Sequence, residues 1–345
     1  MKLSIRAANL DSDEDLLIAT LARHLNPLFD ASRFDWLYRD NPHGQGRAWI
    51  AADIDTGEVV GASGAFPRRL YVNAREELGW VLGDFCISSQ YRSLGPALQL
   101  LRASLDAVDP GGEALCYDFP STTMMALYRR LGVTAIGDMI RLAKPLRIDR
   151  KAEEIVESRL MRKGVTIAGN ALLSLFHGPP RPNVRLDIAA HDGRCQQEFT
   201  DLAQEINGRY GICIQRSADY LNWRYLDCPL FKFEMLTARR DGTLVGYLVY
   251  TVGEEDGVLV DLFGHQETSA IGALVDRAVS ILKDRGVQTV SAPLLNSHPW
   301  FDLLRGRGFR GRESGPVIAY RSLQDAIRPD TSETSWFLML GDRDS

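Results

Sequence analysis

The chain repeats itself, and that repetition narrows its possible folds more than any other feature. The stretch FDWLYRDNP (34–42) returns as YLNWRYLDCP (220–229), and Trp36, Tyr38, Asp40 and Pro42 match Trp223, Tyr225, Asp227 and Pro229 at one constant offset of 187 (223 minus 36). DTGEVVGA (55–62) and DGTLVGY (241–247) share an acidic-Gly corner leading into a β-branched run, the pattern of a turn between two strands. WVLGDFCISSQYRSLGPALQLLRASL (80–105) then aligns with GVLVDLFGHQETSAIGALVDRAVSIL (257–282), which places Asp84 on Asp261 and Gly95 on Gly272. LYRRLGV (127–133) aligns with LLRGRGF (303–309), which places Gly132 on Gly308. The order of elements is the same in both halves, so the chain contains two copies of one unit.

Each unit reads as strands, a long strand feeding a helix, another strand, a short helix ending at Gly and a last strand. In the first copy Leu94, Leu98, Leu101, Leu105 and Val108 step by four and three, which gives that helix one apolar stripe. The fold class expected is α/β, an α+β mixed sheet in two tandem units: residues 1–146, a helical connector over 147–187, and residues 188–345. The connector is read from RKAEEIVESRLMRKG, NALLSLF and the stop signal HGPPRP. SWFLMLGDRDS, at the C-terminus, has an apolar core suited to a late edge strand.

Composition excludes some partners. At 345 residues with a net charge of −5, the chain lacks the basic footprint that nucleic-acid binding requires. Its five cysteines are odd in number and scattered, with no C-x-x-C pair and no His at metal-ligand spacing. They read as reduced thiols in a cytoplasmic protein, and no apolar run is long enough to span a bilayer.

The segment ISSQYRSLGPA (87–97) lies where a strand ends and a helix begins. First-turn N–H groups there have no intrahelical partner and the helix dipole favours anions, so a pyrophosphate fits. Arg92 adds a charge-assisted contact, Gly95 lets the backbone approach closely, Ala97 keeps the first turn small, and Pro96 removes one donor. Neither a dinucleotide nor a Walker phosphate motif is present.

These residues resemble the acyl-CoA pyrophosphate motif Q/R-x-x-G-x-G/A of the GCN5-related N-acetyltransferases, the GNAT superfamily. FPSTTMMALYRRLGV (119–133) is similar to the family's second motif, with Tyr128, Gly132 and Val133 in its places. The resemblance covers the first half well and the second as a degenerate echo, and it implies a tandem GNAT protein. It implies acetyl-CoA or another acyl-CoA as co-substrate, no metal, and direct transfer to a primary amine of a small acceptor, an amino sugar being one conceivable example. By the same resemblance Ile87 and Ser88 present the N–H that polarises the thioester carbonyl, and Arg92, Ser93, Leu94, Gly95 and Ala97 surround the pyrophosphate. Tyr128 is implied as the acid for the leaving thiolate, and Asp84 takes the general-base position.

The duplication adds a filter of its own: residues kept in both copies serve the fold, and those found once are candidates for function. Arg92 faces Ser269, Tyr128 faces Leu304 and Asp118 faces Leu294, so all three pass; Asp84, kept as Asp261, does not. His43 and His298 are loop residues near a cleft or in solvent, and the basic density around 305–312 reads as a solvated face. Two other readings remain. A Fem-type aminoacyl-tRNA-dependent ligase resembles two GNAT units but calls for a basic surface, and an acyl-CoA sensor or scaffold keeps the fold without acceptor chemistry.

Overall fold

The computed structural model describes residues 3–91, 94–108, 114–147, 186–265, 268–321 and 335–343, so most of the expected connector lies outside the described residues. The first half comprises β1 (Leu3–Ala7), α1 (Glu14–His24), α2 (Ala31–Phe34), β2 (Arg47–Asp53), β3 (Val59–Val72), β4 (Arg75–Ile87), α3 (Leu94–Val108), β5 (Leu115–Asp118), α4 (Thr122–Arg130) and β6 (Ala135–Pro145). The second half comprises β7 (Asp187–Ala190), α5 (Gln197–Ile206), β8 (Ile212–Ile214), α6 (Ala218–Leu221), β9 (Phe233–Arg240), β10 (Thr243–Val252), β11 (Asp256–Gly264), α7 (Thr268–Asp284), β12 (Thr289–Leu295), α8 (Phe301–Gly306), β13 (Arg310–Tyr320) and β14 (Trp336–Phe337). No helix among the described residues is long and apolar enough to cross a membrane.

The strands form one mixed sheet in the order β1-β2-β3-β4-β5-β13-β6-β12-β11-β10-β9-β7. The centre of that order reads alike from both ends: β4 and β5 on one side match β11 and β12 on the other. Between them the halves exchange their last strands. β13 pairs antiparallel with β5 through Ile318, Ala319 and Tyr320, while β6 pairs antiparallel with β12 from Thr289↔Pro145 to Leu295↔Met139. β13 and β6 pair with each other on the approximate two-fold axis. Each half therefore completes the other's sheet. β8 reinforces this by crossing over to pair with Leu70–Val72 of β3.

The repeated motif lies on the same axis. In each copy a one-turn helix continues as a wider π-type turn, Asp35–Arg39 and Asn222–Leu226. Trp36 and Trp223 stack with ring centroids 5.1 Å apart. Each indole N–H donates to the other's backbone carbonyl, Trp36 to Trp223 at 2.8 Å and Trp223 to Trp36 at 2.7 Å. The two copies of the repeat thus bind one another.

Of the expected helix stripe in α3, Leu101, Leu105 and Val108 are buried against β2 to β4 and α4 and Leu98 is half-buried, while Ala97 and Leu100 complete the buried face. The short helices α4 and α8 stop at Gly132 and Gly308, whose φ of +81° and +90° suit glycine. The C-terminal segment does not form an edge strand: β14 runs parallel to β8, and Trp336, Phe337, Leu338 and Met339 are fully or almost fully buried.

Candidate functional site

In both halves two parallel central strands pair briefly and then separate. β4 and β5 pair only over Gly79–Val81 and Leu115–Tyr117; β11 and β12 pair only over Asp256–Val258 and Thr289–Ser291. Beyond those pairs a wedge opens. Each long strand also carries a bulge beside the repeated aspartate, where Asp84 and Phe85 oppose Ser63 and where Val260 is the extra residue next to Asp261. A bulge bends its strand and interrupts the ladder, which helps the two strands diverge.

The second wedge is filled by the chain itself. Leu295 N–H donates to Leu338 O at 3.1 Å, and Leu294 bridges to Met339. The Trp300 indole donates to Leu262 O at 3.1 Å, closing the β11 side. Gly341 lies so close to the Tyr225 hydroxyl that a side chain there would collide with it. Residues 259–264 of β11 are all buried.

The first wedge is less filled: the C-terminal segment reaches its β5 wall, where the Tyr117 hydroxyl donates to Asp342 O at 3.0 Å and Arg343 lies over the Phe119 ring at 5.7 Å. Gly83 and Phe85, the counterparts of Val260 and Leu262, are half-buried, as are Asp118 and Phe119 on the opposite wall. At the end of β5 the Asp118 carboxylate accepts a hydrogen bond from the Phe119 N–H at 2.6 Å and another from the Tyr128 hydroxyl at 2.7 Å. Tyr128 is fully buried, and burial followed by the nearby Asp118 charge pushes its pKa well above the ordinary phenol value. Asp118 therefore reaches the wedge, while Tyr128 stands behind it.

At the mouth, the loop that precedes α3 is pinned. Ser88 N–H donates to Val60 O at 2.7 Å, Tyr91 N–H to Ser88 O at 2.9 Å, and the Tyr91 hydroxyl to Asp53 at 2.9 Å. This corrects one expectation: the Ser88 N–H is committed to β3 and is not a donor for a thioester. Ile87 lies in the ladder opposite Gly61, so the β4 edge that faces the wedge lies further back along the strand. Arg92 and Ser93 lie outside the described residues, and Leu94 opens α3. Gly95 is exposed, and a side chain there would meet no protein atom within 4 Å. Ala97 instead turns its methyl group into the core, 7% exposed.

Asp84 has a different environment from the one expected for a free base. It is 4% exposed, receives Arg33 Nη1 and Nη2 at 3.1 and 2.8 Å, and accepts the Tyr38 hydroxyl at 2.9 Å. Asp261 repeats the arrangement with Arg216, with the Tyr225 hydroxyl at 3.1 Å and with the Tyr247 hydroxyl at 3.2 Å. Both oxygens of each carboxylate are thus occupied by donors from within the fold. The sequence filter missed the two arginines because they are not aligned: at the constant offset Arg33 faces Tyr220 and Arg216 faces Phe29. The cation has moved by four residues, about one helical turn, and reaches the same target. Cys195 and Cys213 are buried, and burial pushes both thiols up to about 12, so neither is a thiolate nucleophile at neutral pH.

The acetyltransferase (GNAT) domain family matches residues 11–136, which span α1 to the start of β6 and include both walls of the first wedge. Residues 11–136 thus match the GNAT domain family, and the fold is shared with solved N-acyltransferase structures along nearly the whole length of the chain. A conserved protein of unknown function from Enterococcus faecalis, described as a probable N-acyltransferase, superposes with a TM-score of 0.66 at 13% identity, over 94% of this chain and 74% of that one. A GCN5-related N-acetyltransferase from Anabaena variabilis gives 0.63 at 13% identity, over 92% and 72%. Saccharomyces cerevisiae N-myristoyltransferase with bound myristoyl-CoA gives 0.59 at 12% identity, over 92% and 82%. No curated protein matches the chain significantly.

Proposed function

We propose that the chain is an acyl-CoA-dependent N-acyltransferase whose thioester enters the first wedge, with residues 1–146 as the binding half and 188–345 as its support. The carrying observation is the contrast between the wedges, one lined by half-buried residues and the other filled by the chain's own C-terminal segment. In this reading the CoA pyrophosphate lies at the N-terminus of α3, near Gly95 and Arg92, and the pantetheine passes between β4 and β5. The amine nitrogen attacks the thioester carbonyl, the C–S bond breaks, and the nitrogen gives up its proton to Asp118. Tyr128 holds Asp118 in place through its hydroxyl. The CoA thiolate takes its proton from solvent.

A short acyl group, acetyl in the simplest case, fits better than a long one. Beside the bulge, the Arg33–Asp84–Tyr38 cluster is backed by Phe34, stacked 4.7 Å from Tyr38, and by Phe66, edge-on at 4.9 Å. A methyl group at Gly64, opposite Gly83, would lie 2.8 Å from the Tyr38 hydroxyl. A polar, tightly packed cluster of this kind leaves no apolar channel for a long chain on that side of the bulge.

Calorimetric titration of acetyl-CoA into the wild type and into Gly95→Glu tests the binding step. One site is expected in the wild type, weakened at least about tenfold by a carboxylate placed at the helix N-terminus. Gly95 has open space around it, so the fold tolerates the change. Absence of binding by the wild type sinks the proposal. An amine screen with Asp118→Asn tests the chemistry: loss of a general base costs roughly 10²- to 10⁴-fold in kcat with thioester affinity kept. If CoA binds but no amine is acylated, the sensor reading replaces the enzyme.

A further inference from the structure

At the junction of the two halves several buried hydrogen-bond donors have no acceptor among the described residues. Arg68 is 0% exposed and donates only from Nη1, to Pro67 O at 2.9 Å; its Nε and Nη2 have no partner. The Tyr220 hydroxyl, 1% exposed, has none either, nor has Nη1 of Arg224. The His43 ring stacks on Tyr220 at 4.8 Å, and its Nδ1 accepts the Arg69 N–H at 3.1 Å. The proton of this neutral ring therefore sits on Nε2, which is also unpartnered. Arg68 and Tyr220 meet at Trp223, with the guanidinium 5.1 Å and the phenol ring 5.6 Å from the indole.

Charge points the same way. Three buried guanidiniums, Arg68, Arg216 and Arg224, are set against two buried carboxylates, Asp261 and Asp342, and Arg216 is the guanidinium that both carboxylates pair with. The Tyr220 hydroxyl lies within electrostatic reach of Arg68, Asp342, Arg224 and Arg216. Among the described residues of this cluster one positive charge is left over, and the Arg68, Arg224 and Tyr220 donors have no acceptor there. A buried guanidinium without a counter-charge is strongly unfavourable.

We propose that Arg68 and the Tyr220 hydroxyl bind a small monovalent anion, of halide size, that locks the two halves together. One such ion balances the excess charge and accepts the free N–H and O–H groups. The proposal does not depend on acyl transfer.

The test is thermal unfolding of the wild-type chain in sodium chloride, sodium bromide and sodium gluconate at equal ionic strength, together with anomalous diffraction from bromide-grown crystals. Chloride and bromide are expected to raise the melting temperature saturably by several degrees, and gluconate, too large to enter, is not. A bromide peak is expected next to Arg68 Nε and the Tyr220 hydroxyl. Tyr220→Phe removes one O–H donor without changing the packing volume, and it is expected to shift the chloride midpoint upward by about tenfold. Equal melting in all three salts, or a site holding only water in bromide-grown crystals, overturns the proposal.

Discussion

The two wedges are built alike and differ in what lies between their strands. Both have a brief parallel pairing, a bulge, and a buried Arg–Asp–Tyr cluster behind the bulge. They differ in what stands between the strands: Trp300 and residues 338–341 in the second, and half-buried Gly83, Phe85, Asp118 and Phe119 in the first. A cleft between separating strands leaves backbone groups without ladder partners, and these must be met by protein, water or ligand. In the second half the chain meets them. The difference teaches that the same strand scaffold persists whether or not the chain itself fills the space between its strands.

The sharpest way to break this comparison is to empty the second wedge. Deleting 335–345 removes four buried apolar side chains, each worth about 1.5–3 kcal/mol. The sum is on the order of 8 kcal/mol, comparable to the whole stability of a domain, so the truncated chain is expected to be insoluble or unfolded. The milder Met339→Ala should cost about 2–5 kcal/mol in denaturant titration and still bind one thioester. A folded truncation that binds two thioesters would mean that both wedges are competent.

Next in size is the contact on the axis. Trp36→Ala removes a buried indole and leaves Trp223 O unpaired, for a loss of about 3–5 kcal/mol. Because β6 and β13 are exchanged, calorimetry should still show a single transition at lower temperature. Two resolved transitions would show that the halves are separable units.

A smaller effect distinguishes the halves by pH. Burial, then the Arg68 and Arg69 charges, hold His43 down to about 3 from an ordinary 6.5. The unfolded chain binds this proton below pH 6.5 and the folded chain does not, so the associated stability is complete above 6.5 and is lost as pH falls toward 3. Two pH units below 6.5 the loss is roughly 2–3 kcal/mol. In His43→Phe the slope of stability against pH between 6 and 4 should fall by about one proton, and an unchanged slope would mean that the ring is already charged in the native state.

Much of this molecule could be read in advance, for local reasons. Most of the helix stripe of α3, the glycines that end α4 and α8, and the strand before the loop that leads into α3 all rest on periodicity and backbone preference within a few residues. The filter for single-copy residues picked out Asp118 and Tyr128, which meet at 2.7 Å, but it took no account of substitutions that compensate one another. Arg33 and Arg216 each look unique in sequence, and each performs the other's task. The Ser88 N–H looked available because its partner, Val60, is 28 positions away (88 minus 60) and strand register is not written in either segment alone.

The sequence by itself determined that two copies of a strand-rich unit exist, where each turns from strand to helix, and which residues differ between them. Those properties follow from side-chain pattern and need no knowledge of neighbours. Only the tertiary structure decided that the last strands are exchanged, that Trp36 and Trp223 embrace across an axis, and that residues 335–343 close one wedge and leave the other less filled. An apolar strand records that it must be buried, but which edge or cleft buries it is settled by competition among all the surfaces of the folded chain.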